Sequence, residues 1–256
     1  MDVFARILVG VDGTDWGLEA LRQALVLAPE QATVRAVTAL DTTPAVHTGL
    51  QAAHFAEILT QEAAAARDAA ATVIDGRPGA DARVVRGKPV DVLRRERDDL
   101  DATLVALGGR RSSRFLGAIL GDTGTELLND ASCSMLLACP AADGTWAPRR
   151  IVVGLDGSSY ARDALAVADE LARTSGGAVE VLSAGAGEEV DRSAAWAERV
   201  ERWDDADPVS ALVAASRRAD LVVVGSRGMR GLRAIGSVSQ RVAHQAHSTA
   251  LVITAR

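Results

Sequence analysis

One segment of this chain occurs twice. Arg6-Ile-Leu-Val-Gly-Val-Asp-Gly-Thr14 returns as Arg150-Ile-Val-Val-Gly-Leu-Asp-Gly-Ser158, 144 residues later. Solenoid units recur at periods of roughly 20 to 50 residues, so a repeat this long marks the duplication of a whole domain. The 256 residues divide naturally into two domains of ordinary size, about 100 to 150 residues each. The expected domains are 1–140 and 149–256, joined by the breaker-rich stretch Pro140-Ala-Ala-Asp-Gly-Thr-Trp-Ala-Pro148.

The repeated segment also shows what each domain is built from. Residues 7–11 and 151–155 are apolar runs that end in Asp-Gly, the pattern of a fully buried parallel strand meeting its turn. Helical periodicity follows each run, through Trp16, Leu21, Ala24, Leu25 and Ala28 in the first repeat. Ala164, Leu165, Ala168, Leu171 and Ala172 do the same in the second. Further strands are expected at 34–40, 83–86, 103–107 and 135–138, and in the second repeat at 179–182, 199–203, 221–224 and 250–254. The alternation predicts an α/β fold: two tandem Rossmann-like domains, each a five-stranded, parallel, doubly wound sheet with flanking helices. A long helix is expected over 50–74. Only 183–198 stands at the same place in the second repeat, which is therefore shortened and lacks most of that helix. The uncovered sheet edge is an expected interaction surface.

Composition narrows the function. The net charge is -6, from 28 basic and 34 acidic residues, which disfavours a general nucleic-acid binder. Lys88 is the only lysine, so an anion site must rely on arginine or on backbone N–H groups. Cys133 and Cys139 form neither a disulfide framework nor a metal quartet, and a reducing cytoplasm is expected. Residues 1–11 run into a strand without the features of an export signal, and no apolar run approaches the ~18 residues of a membrane span. A cytoplasmic protein without membrane or nucleic-acid partners is the expectation.

The densest chemical signal follows the fourth strand of the second repeat. Gly225, Gly228, Gly231 and Gly236 are interleaved with Arg227, Arg230 and Arg233, and a helix is expected to start at Ser237. Glycine lets backbone approach a ligand closely, and a helix start offers unpaired N–H groups and a positive dipole end to phosphate. The competing reading is a Ser237/Gln240 capping box with glycines that merely turn the chain. Asp12-Gly13 and Asp156-Gly157, at strand carboxyl ends, are either ligand contacts or plain turns. Asp15 and either Ser158 or Ser159 read as helix caps. His244 and His247 read as cations at a helix end and not as a metal pair. No P-loop, dinucleotide fingerprint or nucleophile elbow is present in the sequence.

These motifs resemble the universal stress protein family in its tandem, two-domain form. The resemblance rests on the Val-Gly-x-Asp-Gly strand ends, on Arg86-Gly87-Lys88-Pro89, and on Gly225-Ser-Arg-Gly228 with Gly236-Ser237-Val238-Ser239. It implies an adenine nucleotide alpha hydrolase-like fold. ATP-binding members carry G-x2-G-x9-G-[S/T], whose backbone and hydroxyls hold the phosphates. The resemblance therefore places Asp156, Gly157, Gly225, Arg227, Gly228, Gly231, Gly236, Ser237, Val238 and Ser239 at a nucleotide site in the second domain. The spacing departs from the pattern, since seven residues and not nine separate Gly228 from Gly236.

The first domain carries a degenerate version at Asp12, Gly13, Gly108, Arg111, Gly121 and Asp122. Arg111 stands at the second glycine and Asp122 at the hydroxyl position, where a carboxylate would repel phosphate. The implied function is a stress-response sensor that binds ATP, with or without magnesium, mainly in the second domain and without fast turnover. Nucleotide would order the loop 226–235 and change a surface that a protein partner reads. The two domains are expected to pack through their last strands, imitating a homodimer. The alternative is a protein-interaction scaffold that binds no nucleotide.

Overall fold

The computed structural model describes residues 4–46, 51–112, 115–119, 122–130, 132–141, 145–184, 197–204, 206–226 and 238–254. The first repeat supplies β1 (Arg6–Gly10), α1 (Asp15–Leu27), β2 (Thr33–Leu40), α2 (Thr43–Val46), α3 (Ala52–Ile74), β3 (Ala80–Arg86) and α4 (Pro89–Leu100). It continues with β4 (Leu104–Gly108), β5 (Arg110–Ser112), β6 (Phe115–Ile119), α5 (Asp122–Asn129) and β7 (Ser134–Ala138). The second supplies β8 (Arg150–Gly154), α6 (Ser159–Ser175), β9 (Ala178–Ala184), β10 (Arg202–Asp204), α7 (Pro208–Ser216), β11 (Leu221–Ser226), α8 (Val238–Gln245) and β12 (Thr249–Thr254). Among the described residues each repeat contributes five strands outside the β5–β6 pair, as the alternation of patterns predicts.

The compact units divide the chain differently from the repeats: Met1–Gly108 with Asp122–Leu127, and Gly109–Gly121 with Leu128–Arg256. In the first unit the strands lie in the order β3-β2-β1-β4, all parallel. Ile7, Leu8 and Val9 have no exposed surface, because helices cover both faces of a doubly wound sheet. Helices α1 and α3 pack together over one face, and α4 packs on β1 and β2. The buried side of α3 is made of Ala63, Ala66 and Ala70, small enough to bring that helix against Gly13, where an added Cβ would lie 3.2 Å from the Ala66 methyl. Arg77 donates to the carbonyls of Leu25, Ala28 and Pro29 at 2.7, 2.9 and 2.9 Å and so ties down the end of α1.

In the second unit the order is β10-β9-β8-β11-β12-β7. The first five strands are parallel, and β7 runs antiparallel to β12, with Leu137 opposite Ala250 and Met135 opposite Val252. The last strands of the two repeats therefore pair, and β7 belongs to this unit although it comes from the first repeat. Both strands are apolar on both faces, so neither tolerates a bare edge.

Two local expectations are corrected. Residues 199–203 do not form one strand. Ala197–Arg199 is a 3-10 turn with Ala197 buried, held by the Arg199 guanidinium on the Asp169 carboxylate of α6 at 3.0 and 3.2 Å, and only Arg202–Asp204 pairs with β9. The stretch after β4 forms the β5–β6 hairpin. Between the repeats, Trp146 is buried and its Nε1 donates to the Asp220 carbonyl at 3.1 Å.

Candidate functional site

In the second unit the strand order reverses between β8 and β11, and a cleft opens there beyond their carboxyl ends. Open α/β sheets hold their ligands at such a switch point. The cleft measures about 110 Å³ and is lined by Asp156 and Ser158 after β8, Leu182 and Ala184 of β9, Gly225 of β11, and Val238 and Ser239 at the start of α8. Pro208 and Leu212 of α7 close the remaining side.

The turn at the floor of the cleft is built by its own sequence. Gly157 has φ 80°, the left-handed region where a side chain is penalised. Asp156 Oδ1 accepts from the Ser158 backbone N–H at 3.0 Å, which closes an Asx turn. Ser158 is the N-cap of α6, its Oγ accepting from the Ala161 N–H at 3.2 Å. The exposed Asp156 carboxylate uses one oxygen in this turn, and among the described residues no group bonds the other. The first repeat copies the arrangement: Gly13 has φ 79°, Asp12 Oδ1 accepts from the Thr14 N–H at 3.1 Å, and Thr14 caps α1. The caps are therefore Thr14 and Ser158. Asp15 and Ser159, which the sequence also offers as caps, are the first helical residues.

Gly225 lines the cleft, but its lack of a side chain answers a different demand. A Cβ there would collide with the Tyr160 carbonyl and lie 2.8 Å from the Ala161 nitrogen, in the first turn of α6. Gly108 meets the matching crowding from Trp16 and Gly17 in α1, at 2.5 and 2.8 Å. These two glycines let a strand pass directly beneath a helix start. Of the other expected site residues, Val238 is exposed and Ser239 buried in the cleft. Arg227, Gly228, Gly231, Gly236, Ser237 and Gly121 lie outside the described residues. Arg111 sits on β5 opposite Ala118 of β6, so it occupies a hairpin and not a glycine loop. Asp122 opens α5 and is exposed.

Sequence reading missed the α7 wall. Its signal was present in Asp207-Pro208: the Asp207 side chain accepts from Val209 and Ser210 N–H at 3.1 and 3.3 Å, and proline suits a first helical position. Hydrogen bonding to Ser210 leads the effects that hold the Asp207 carboxyl below the usual range. His244 is also corrected, since burial lowers its pKa and favours the neutral ring over a cation. Among the described residues no three His, Cys, Asp or Glu side chains group as metal ligands.

The profile of the universal stress protein family matches residues 4–138 and 188–254. The chain belongs to the universal stress protein family. A universal stress protein of Mycobacterium tuberculosis, found in strains CDC 1551 and H37Rv, is 31% identical over 186 residues. That alignment spans 59% of this chain and 61% of the relative. Among solved structures, a universal stress protein from Archaeoglobus fulgidus DSM 4304 superposes with a TM-score of 0.77 at 19% identity, covering 98% of both chains. A functionally unknown protein of Pseudomonas aeruginosa PAO1 gives 0.65 at 14% identity, covering 98% of this chain and 92% of that one. The two structural likenesses speak to the α/β fold. Family membership supports a role in the stress response. No helix among the described residues is long and apolar enough to cross a membrane.

Proposed function

We propose that this universal stress protein binds an adenine nucleotide, ATP with or without magnesium, in the cleft of the second repeat and acts as a sensor without fast turnover. The observation that carries the reading is the place of the cleft, at the switch point, with the Asp156 carboxylate half free beside the start of α8. A carboxylate there suits hydroxyl or amino donors of a nucleoside, while the glycine- and arginine-rich run from Gly225 to Ser237 supplies the means to hold phosphates. Among the described residues Asp156 is the one charged residue lining the cleft. The first repeat binds weakly or not at all, because a hairpin stands where the loop would be and Asp122 opens α5.

A second reading is favoured by the seven-residue spacing of Gly228 and Gly236. On it the protein is an interaction scaffold that binds no nucleotide in either half. Denaturing the freshly purified protein and analysing the supernatant separates the two. Adenine nucleotide at up to one per chain supports the sensor, and a nucleotide-free preparation that also takes up none on incubation supports the scaffold.

A further inference from the structure

A larger cleft, of about 880 Å³, lies at the other end of the sheet of the second unit. It sits at the amino ends of β8, β11 and β12 and is lined by Pro140, Ala141, Thr145, Trp146 and Ala147 from between the repeats. The volume falls within the ~300 to 1,000 Å³ of small-molecule sites.

Accounting for its polar groups shows what kind of ligand it suits. The Asp220 carboxylate accepts from the Arg150 backbone N–H and guanidinium, both at 2.8 Å. Burial opposes the charge on Asp220, and the bonds from Arg150 overcome it and hold the carboxyl below its usual range. Trp146 is spent on the Asp220 carbonyl, and Ser216 Oγ donates to the Val213 carbonyl while accepting from the His247 N–H. Thr249 Oγ1 bonds both backbone groups of Cys139.

What remains is donors. Arg149 and Arg217 line the cleft, and neither guanidinium has a partner among the described residues. Helices α7 and α8 end near this face and contribute about half a negative charge each. Two guanidinium charges exceed that sum. Pro140, Ala147 and the Trp146 ring give the same cleft an apolar wall.

We propose that this cleft binds a small organic anion, its phosphate or carboxylate head on Arg149 and Arg217 and its apolar body against Trp146 and Pro140. The site is independent of the nucleotide cleft, which lies at the carboxyl ends of the strands. The test is calorimetric titration of the full chain with 1-naphthyl phosphate, 1-naphthoate and uncharged 1-naphthol. Saturable binding of one or both acids at one per chain is expected, and whichever acid binds identifies the head group. The double variant Arg149→Ala/Arg217→Ala should bind at least about tenfold more weakly, the loss of one charge-assisted hydrogen bond. Both side chains are exposed, so the variant should keep the wild-type melting temperature.

Bound acid should also slow maleimide labelling of Cys139, which lines the cleft. Equal binding by the double variant, equal binding of 1-naphthol, or no saturable binding of either acid would each overturn the assignment.

Discussion

At the scale of single residues, the same amino acid serves packing in one place and chemistry in another, and only tertiary neighbours tell which. Gly225 belongs to a glycine-rich motif, yet the Tyr160 carbonyl stands where its Cβ would go. Gly225→Ala should therefore destabilise the protein by ~1 to 3 kcal/mol, read by urea unfolding, with or without nucleotide. A variant as stable as wild type would refute the packing role. Nothing local in the sequence marks this crowding, because it arises from a helix start more than 60 residues away in the chain. The Asp-Gly turns were legible, since Asp156 and Gly157 make their turn from their own atoms.

His244 gives a pH test at the same scale. Its folded pKa lies below the ordinary 6.5 because burial disfavours the charge, so the unfolded chain takes up a proton first as pH falls. Stability associated with His244 is present above pH 6.5 and declines below it. His244→Gln should flatten the fall in unfolding free energy between about pH 7 and pH 5. An unchanged slope would show that the ring titrates alike in both states.

At the scale of elements, caps and small-residue faces set where helices begin and how near they come. Ser158→Ala removes the N-cap of α6 and should cost about 1 kcal/mol by thermal unfolding, with Ser158→Thr close to wild type. Loss of stability in both variants alike would mean that the cap bond is not the cause. Most strands and the long helices were visible as apolar runs and periodicities. The 3-10 turn Ala197–Arg199 was not, because the Arg199–Asp169 pair that holds it joins residues far apart in sequence. The β5–β6 hairpin was missed because the glycine-loop pattern was extended to a stretch that holds Arg111 in place of glycine.

At the scale of the whole molecule, the duplication explains the repeats but not the compact units. Strand β7 comes from the first repeat and pairs with β12 of the second, so a cut at the sequence boundary leaves an apolar edge bare. The fragment 149–256, which lacks β7, should self-associate through β12, read by light scattering. A monomeric, folded 149–256 would show that the edge is protected in some other way.

A nucleotide site in the second repeat alone is tested by calorimetric titration of nucleotide-stripped protein with ATP and magnesium. The same titration is run on the double variant Gly236→Val/Ser237→Ala. One ATP per chain is expected for the wild type and no binding by the variant. Unchanged affinity in the variant would contradict the site, and no binding by either protein would contradict the sensor.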